Sequence, residues 1–120
     1  MLEIAICEDD RYQQGDLEAM VYGLGKKHGI CLEVDVYENG ESLLRAIQKK
    51  IKYDLVYLDI EMDGMGGVEV AERLREKDRT VQLVYVTQYE NYLKQSTQTM
   101  PSGYIIKPID AGNLRIRFYG

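Results

Sequence analysis

The sequence predicts an α/β domain built on a parallel β-sheet. Short apolar runs, which are typical of buried strands, alternate with longer segments in which apolar residues recur at helical spacing. This alternation is the pattern of successive βαβ units, in which each helix returns the chain to the start of a parallel strand. The length of 120 residues is that of one domain with one hydrophobic core.

The first two strand-helix units are well marked. Residues 2–7 form an apolar run, and apolar positions at helical spacing follow it as far as Gly25 and Gly29, which favour the end of a helix. Residues 31–37 alternate as expected of a second strand. The turn and capping residues 39–42 then precede a second helix. Its apolar positions are Leu43, Leu44, Ile47 and Ile51.

Three further strands are predicted in the second half of the chain. The third ends at Asp59 and precedes a glycine-rich loop. Residues 81–86 form the fourth strand, residues 89–99 a weakly patterned helix, and residues 102–106 the fifth strand. The helix between the third and fourth strands has its core face at Val70, Ala71 and Leu74.

The last segment carries two conflicting signals. Residues 114–118 alternate with period two, which favours a strand, whereas their place after the fifth strand of a βα series favours a helix. We predict a short helix, with Asp110 as its N-cap.

Composition excludes several classes of function. The net charge is -5, and no cluster of lysine and arginine forms a footprint for nucleic acid, so the chain alone is not expected to bind DNA. Cys7 and Cys31 lack metal-ligand spacing and are too few for a disulfide scaffold. A signal peptide and a long apolar run are not recognisable. These features predict a soluble, cytoplasmic protein without a membrane partner.

Polar side chains follow four of the predicted strands. Residues 8–10 are all acidic and follow the first strand, Asp59 ends the third, Thr87 follows the fourth, and Lys107 follows the fifth. The carboxyl ends of parallel strands lie at one edge of the sheet, where open α/β folds bind ligands, so we expect these side chains to converge. Clustered carboxylates repel each other unless a cation lies among them. The set therefore indicates a site for a phosphoryl group on Mg²⁺.

These residues, together with the Gly66-Gly67 loop and Tyr104 three positions before Lys107, resemble the response-regulator receiver domain over essentially the whole chain. The resemblance implies a flavodoxin-like fold, in which a five-stranded parallel sheet of order 2-1-3-4-5 is flanked by five helices. A closer similarity, to receivers that carry a LytTR-type DNA-binding domain, rests on residues 57–62, on residues 84–87 followed by Tyr89 and Tyr92, and on residues 101–104.

The resemblance implies a magnesium-dependent phosphoacceptor site. Asp59 would be the acceptor, and the chemistry agrees, because a carboxylate oxygen can attack phosphorus in line and form an aspartyl phosphate. The implied metal ligands are Asp9 directly, Glu8 mainly through water, Asp59 itself and the backbone carbonyl of Glu61. Asp10 has no implied metal role and is expected to cap the first helix.

The remaining roles also follow from the resemblance. Lys107 would pair with Asp59 at rest and with a phosphoryl oxygen afterwards, as a compact point charge. Thr87 would donate its hydroxyl to another phosphoryl oxygen, and Tyr104 would turn inward when Thr87 moves. The family holds the peptide bond before Pro108 in the cis form.

The implied function is a signalling switch in a receiver domain that spans residues 1–120, with no output domain in this chain. A sensor histidine kinase would phosphorylate Asp59, and a population shift would change the face formed by the fourth helix, fifth strand and fifth helix. Homodimerisation and control of a DNA-binding output domain would follow. Only self-catalysed phosphotransfer and slow autodephosphorylation are expected as chemistry. Two alternatives stay open: a small Mg²⁺-dependent phosphohydrolase, and a receiver-like interaction module that is not phosphorylated.

Overall fold

The computed structural model of the protein describes residues 1–88, 98–107, 109 and 116–118. The elements in these ranges are β1 (Leu2–Cys7), α1 (Arg11–His28), β2 (Leu32–Tyr37), α2 (Gly40–Gln48), β3 (Leu55–Asp59), α3 (Gly67–Lys77), β4 (Gln82–Thr87), β5 (Gly103–Ile106) and β6 (Ile116–Phe118). None of the helices among the described residues is long and apolar enough to cross a membrane.

All six strands belong to one sheet, in the order β2-β1-β3-β4-β5-β6. The first five strands are parallel to one another, which confirms the predicted flavodoxin-like order 2-1-3-4-5. Parallel pairing of β1 with β3 and of β3 with β4 places the carboxyl ends of these strands side by side. This edge of the sheet, called the carboxyl edge below, is where the polar residues of the sequence were expected to meet.

The prediction of a short helix at the end of the chain was wrong. Ile116–Phe118 form β6, which pairs antiparallel with β5 in a register that sets Phe118 opposite Gly103. A short segment gains ladder hydrogen bonds at once from the edge of an existing sheet, whereas a single helical turn must order several residues for each bond. The alternating pattern was therefore the better signal. Residues 89–97 of the predicted fourth helix, and the predicted cap Asp110, lie outside the described residues.

Helices pack on both faces of the sheet, because successive strand side chains point to opposite sides. One face packs against α2 and α3, and the other packs against α1. The first cluster includes Ala5, Cys7, Leu43, Val56, Leu58, Val70, Leu74, Leu83 and Tyr85. The second includes Ile4, Ile6, Leu17, Val21, Tyr57, Val84, Val86 and Ile105.

The start and the end of α1 follow the sequence signals. The Asp10 side chain accepts hydrogen bonds from the backbone N–H groups of Tyr12 and Gln13, at 2.9 and 3.1 Å. This confirms the predicted N-cap and turns the Asp10 carboxylate toward the helix. Gly29 ends the helix with φ 67°, a left-handed conformation that glycine adopts without steric cost.

Arg75, near the end of α3, connects the helix to two segments at the opposite, amino-terminal edge of the sheet. Its guanidinium donates to the carbonyl oxygens of Val81 and Thr99, both at 2.6 Å, and of Met100 at 3.1 Å. The Thr99 hydroxyl in turn hydrogen-bonds the hydroxyl of Tyr85 at 2.6 Å. The planar, forked guanidinium can satisfy several acceptors at once, and it fixes the point at which the chain enters β5.

We predict that Arg75→Ala lowers the free energy of unfolding by about 2–4 kcal/mol, because buried carbonyl groups lose a charged donor. The matched control is Arg73→Ala, which removes an exposed ion pair with Glu69 one helical turn away and should cost less than about 0.5 kcal/mol. Urea unfolding of both variants measures the difference. Similar small losses would contradict a structural role for the Arg75 guanidinium.

Candidate functional site

Three strands deliver charged side chains to one point of the carboxyl edge. Carboxylate oxygens of Glu8, Asp9 and Asp59 all lie within 4.8 Å of one another. The ammonium Nζ of Lys107 lies 3.0 Å from Glu8 Oε1 and 3.1 Å from Asp59 Oδ1. The structure therefore brings together the acids after β1, the acid that ends β3 and the lysine after β5.

The centre of this cluster is removed from solvent. Glu8 is fully buried, Asp59 is 1% exposed and the Lys107 side chain is 7% exposed. Burial, followed by the contact with Glu8, raises the pKa of Asp59 to about 8, although Lys107 opposes the rise. Burial would lower the pKa of Lys107, but its contacts with Glu8 and Asp59 raise it. One ammonium is thus too little positive charge for the carboxylates around it.

The acidic cluster fits a divalent cation. Asp59 Oδ2 is buried and has no hydrogen-bond partner among the described residues. A buried carboxylate oxygen without a donor is costly unless a cation compensates it. Asp9 is exposed beside it, so one side of the cluster is open to water. Mg²⁺ takes one or two carboxylates and keeps several waters, which matches this half-open donor set.

The three consecutive acids after β1 have different surroundings. Asp9 Oδ2 accepts a hydrogen bond from the N–H of Asp63 at 3.0 Å, which joins the loop after β1 to the loop after β3. Glu8 Oε2 accepts from the N–H of Asp10 at 3.1 Å, and the Gln14 amide donates to the Glu8 carbonyl at 2.7 Å. Asp10 instead caps α1. Glu8 and Asp9 therefore belong to the cluster, and Asp10 does not.

The loop after β3 is closed tightly over the end of the strand. The N–H of Gly67 donates to the Ile60 carbonyl at 3.0 Å. A Cβ atom at position 67 would overlap the carbonyl oxygen of Asp59 and the Cα atom of Ile60. Only glycine permits this approach of α3 to β3, and the glycine-rich loop in the sequence was the signal for it.

Thr87 and Glu61 form a second polar contact at the site. Thr87 is buried at the end of β4 and donates its hydroxyl to Glu61 Oε1 at 2.5 Å. The N–H of Gln88 donates to the same oxygen at 3.0 Å. Burial would raise the pKa of Glu61, but the hydrogen bonds that its carboxylate accepts, that from Thr87 first, outweigh burial and lower the pKa.

The side chain of Glu61 is the participant that the sequence analysis missed. Only the backbone carbonyl of this residue was expected to take part, as a metal ligand. The N–H of Glu61 lies 3.3 Å from Asp59 Oδ1, and its side chain turns toward β4. The available signal was an acidic residue two positions after Asp59, within a loop that must approach the end of β4.

Tyr104 and Pro108 are the two other predicted site residues. Tyr104 lies on β5 opposite Tyr85 of β4, is half-buried, and packs against the cluster beneath α2 and α3. By strand alternation it lies on the same face of the sheet as Thr87, two residues beyond Tyr85. Pro108 and its expected cis peptide bond lie outside the described residues.

Cys7 lies at the end of β1 next to the acids and is fully buried. Burial, followed by the negative charges of Asp59, Glu8 and Asp9, raises the pKa of its thiol to about 12. Its Sγ lies 3.8 Å from Sδ of Met62. Cys7 is therefore a neutral packing residue.

The chain is similar to known proteins over almost its whole length. The profile of the response regulator receiver domain matches residues 4–119. The sensory transduction protein LytT of Oceanobacillus iheyensis is 31% identical over 117 residues, which are 96% of this chain and 46% of that protein. LytT of Bacillus subtilis is 26% identical, over 92% of this chain and 44% of its own length. The chain thus spans about half the length of these relatives, and they agree with the expected similarity to LytTR-type regulators.

A solved structure shows the same architecture. The response regulator TrrA from Thermotoga maritima, determined in complex with Mg²⁺ and BeF, is 31% identical and superposes with a TM-score of 0.78 over 92% of this chain and 90% of its own. The parallel strand order, the acidic cluster at the carboxyl edge and the match over residues 4–119 agree. The chain therefore belongs to the response-regulator receiver family of two-component signalling proteins.

Proposed function

We propose that this receiver domain is a phosphorylation-dependent switch, in which Asp59 accepts a phosphoryl group with the help of Mg²⁺. The observation that carries the proposal is the buried Asp59 carboxylate, which keeps one oxygen without a partner among the described residues while Lys107 engages the other. A nucleophile needs such an available oxygen, and the neighbouring acids provide ligands for the metal.

Each polar group has a defined part in this proposal. Asp9, Asp59 and the backbone carbonyl of Glu61 would hold Mg²⁺, with Glu8 acting mainly through water. The metal, when bound, would neutralise charge on the phosphoryl oxygens during transfer. An oxygen of Asp59 forms the new P–O bond as the P–N bond to the histidine of the donor kinase breaks. The Lys107 ammonium then exchanges the Asp59 carboxylate for a phosphoryl oxygen as its partner, because the long side chain carries a compact charge.

The signal passes from Asp59 to Thr87 and then to Tyr104. A phosphoryl oxygen would draw the Thr87 hydroxyl toward it, and Tyr104, on the same face of the sheet, would move into the space that Thr87 leaves. The face formed by β5 and its neighbouring helices would then change, and a second protomer or an output domain would bind the changed face. The proposed output is the control of a DNA-binding domain.

The partners of the protein and its cellular compartment follow from the proposed switch. The donor is a sensor histidine kinase, the phosphorylated form associates as a homodimer, and both act in the cytoplasm. The chain has no separate substrate to turn over, and its chemistry is limited to self-catalysed phosphotransfer and slow autodephosphorylation.

We predict that Asp59→Ala abolishes covalent phosphorylation by acetyl phosphate, because it removes the nucleophile. Wild-type protein should gain one phosphoryl group per chain in intact-mass analysis, and only with Mg²⁺. Asp63→Asn is the matched control, since it removes an exposed acid from the same loop and should leave labelling intact. A labelled Asp59→Ala variant would contradict the assignment. Multiple turnovers by the wild type would instead indicate a phosphohydrolase, and an unlabelled wild type an interaction module.

A second prediction separates Asp9 from Asp10. Asp9→Ala should weaken Mg²⁺ binding by about tenfold or more while leaving α1 intact, because a ligand in the acidic cluster is lost. Asp10→Ala should leave Mg²⁺ affinity within about twofold and lower the free energy of unfolding by about 1 kcal/mol, since the cap of α1 is lost. Calorimetric titration with Mg²⁺ and urea unfolding measure the two effects. A greater loss of metal affinity in Asp10→Ala would overturn this division of roles.

A further inference from the structure

The Thr87 hydroxyl already donates a hydrogen bond when Asp59 carries no phosphoryl group. A hydroxyl carries one proton and can donate one strong hydrogen bond. In the structure that bond goes to Glu61 Oε1 at 2.5 Å, and the N–H of Gln88 donates to the same oxygen. The proposed switch requires the same hydroxyl proton for a phosphoryl oxygen. The two hydrogen bonds are therefore mutually exclusive.

We propose that the side chain of Glu61 is a positioning residue that acts as a latch on Thr87, holds the receiver in its resting state and must leave Thr87 when Asp59 is phosphorylated. The inference rests on the proposed function, because it assigns Thr87 to the phosphoryl group. It goes further in naming the side chain that competes for the Thr87 hydroxyl.

Charge makes the latch stronger than a neutral hydrogen bond. Glu61 Oε1 accepts two hydrogen bonds, from the Thr87 hydroxyl and from the N–H of Gln88, and hydrogen bonds to a carboxylate are roughly twice as strong as those between neutral groups. A phosphoryl group on Asp59 would add negative charge next to Glu61, since the N–H of Glu61 already lies 3.3 Å from Asp59 Oδ1. Phosphorylation therefore removes the donor from Glu61 and repels its carboxylate at the same time.

A purely structural role does not account for an acid at this position. Glu61 Oε2 is buried and has no hydrogen-bond partner among the described residues. A glutamine could accept the same bonds from Thr87 and Gln88 without bringing another negative charge near Asp59. A buried, unpaired carboxylate oxygen lowers stability, and the negative charge that causes this cost is also the charge that a phosphoryl group on Asp59 would repel.

The latch is tested with beryllofluoride, which mimics a phosphoryl group on a carboxylate. In the presence of Mg²⁺, Glu61→Ala should bind beryllofluoride about tenfold to a hundredfold more tightly than wild type, because a charge-assisted hydrogen bond no longer competes. Glu61→Gln, which keeps an acceptor for Thr87 but not the charge, should lie between them. Asp63→Asn should match the wild type, since it removes a charge from the same loop without a contact to Thr87.

A second measurement detects the contact between Glu61 and Thr87 without a metal or a phosphate analogue. The methyl resonance of Thr87 in the metal-free protein should shift in Glu61→Ala, shift less in Glu61→Gln and stay in place in Asp63→Asn. If the wild type binds no beryllofluoride, the proposed switch fails, while the Thr87 resonance still tests the contact. If the wild type binds beryllofluoride but Glu61→Ala binds it no more tightly, the latch is overturned and the switch stands. An unmoved Thr87 resonance in Glu61→Ala would also overturn the latch.

Discussion

Two buried carboxylates that share one ammonium are the constraint on which this site depends. Glu8 and Asp59 both contact Lys107 Nζ, with Asp9 close by, and negative charge remains in excess. Charges in such a place interact strongly because little water screens them. Burial, followed by the contact with Glu8, raises the pKa of Asp59, and the excess of negative charge makes the cluster suitable for a divalent cation.

The fold fixes the strands through contacts at both edges of the sheet and leaves the reactive side chains at the carboxyl edge. At the amino-terminal edge of the sheet, Arg75 joins α3 to the starts of β4 and β5 through backbone carbonyls. At the carboxyl edge, Gly67 lets α3 approach the end of β3 closely. Strands β3, β4 and β5 are therefore held in register, and the groups that would respond to phosphate, Thr87 and Lys107, sit at their free ends.

The errors and omissions of the sequence analysis share a physical origin. The last segment was predicted as a helix from its position in the chain, but pairing with the edge of β5 made a strand of it. Arg75 looked like any charged residue of an amphipathic helix until its contacts with Val81 and Thr99 were seen. Glu61 is similar, because its partner Thr87 lies 26 positions away. Long-range contacts of single side chains leave no periodic trace in a sequence.

The sequence by itself determined the five parallel strands, the first three helices and the edge at which the acids meet, because these follow from hydrophobic periodicity and from the geometry of βαβ units. It also separated Asp10 as a cap. Only the tertiary structure decided that Glu8 and Asp59 are buried around Lys107, that Glu61 binds the Thr87 hydroxyl, and that β6 extends the sheet. Burial and side-chain pairing depend on distances between residues far apart in the chain, which local patterns do not contain.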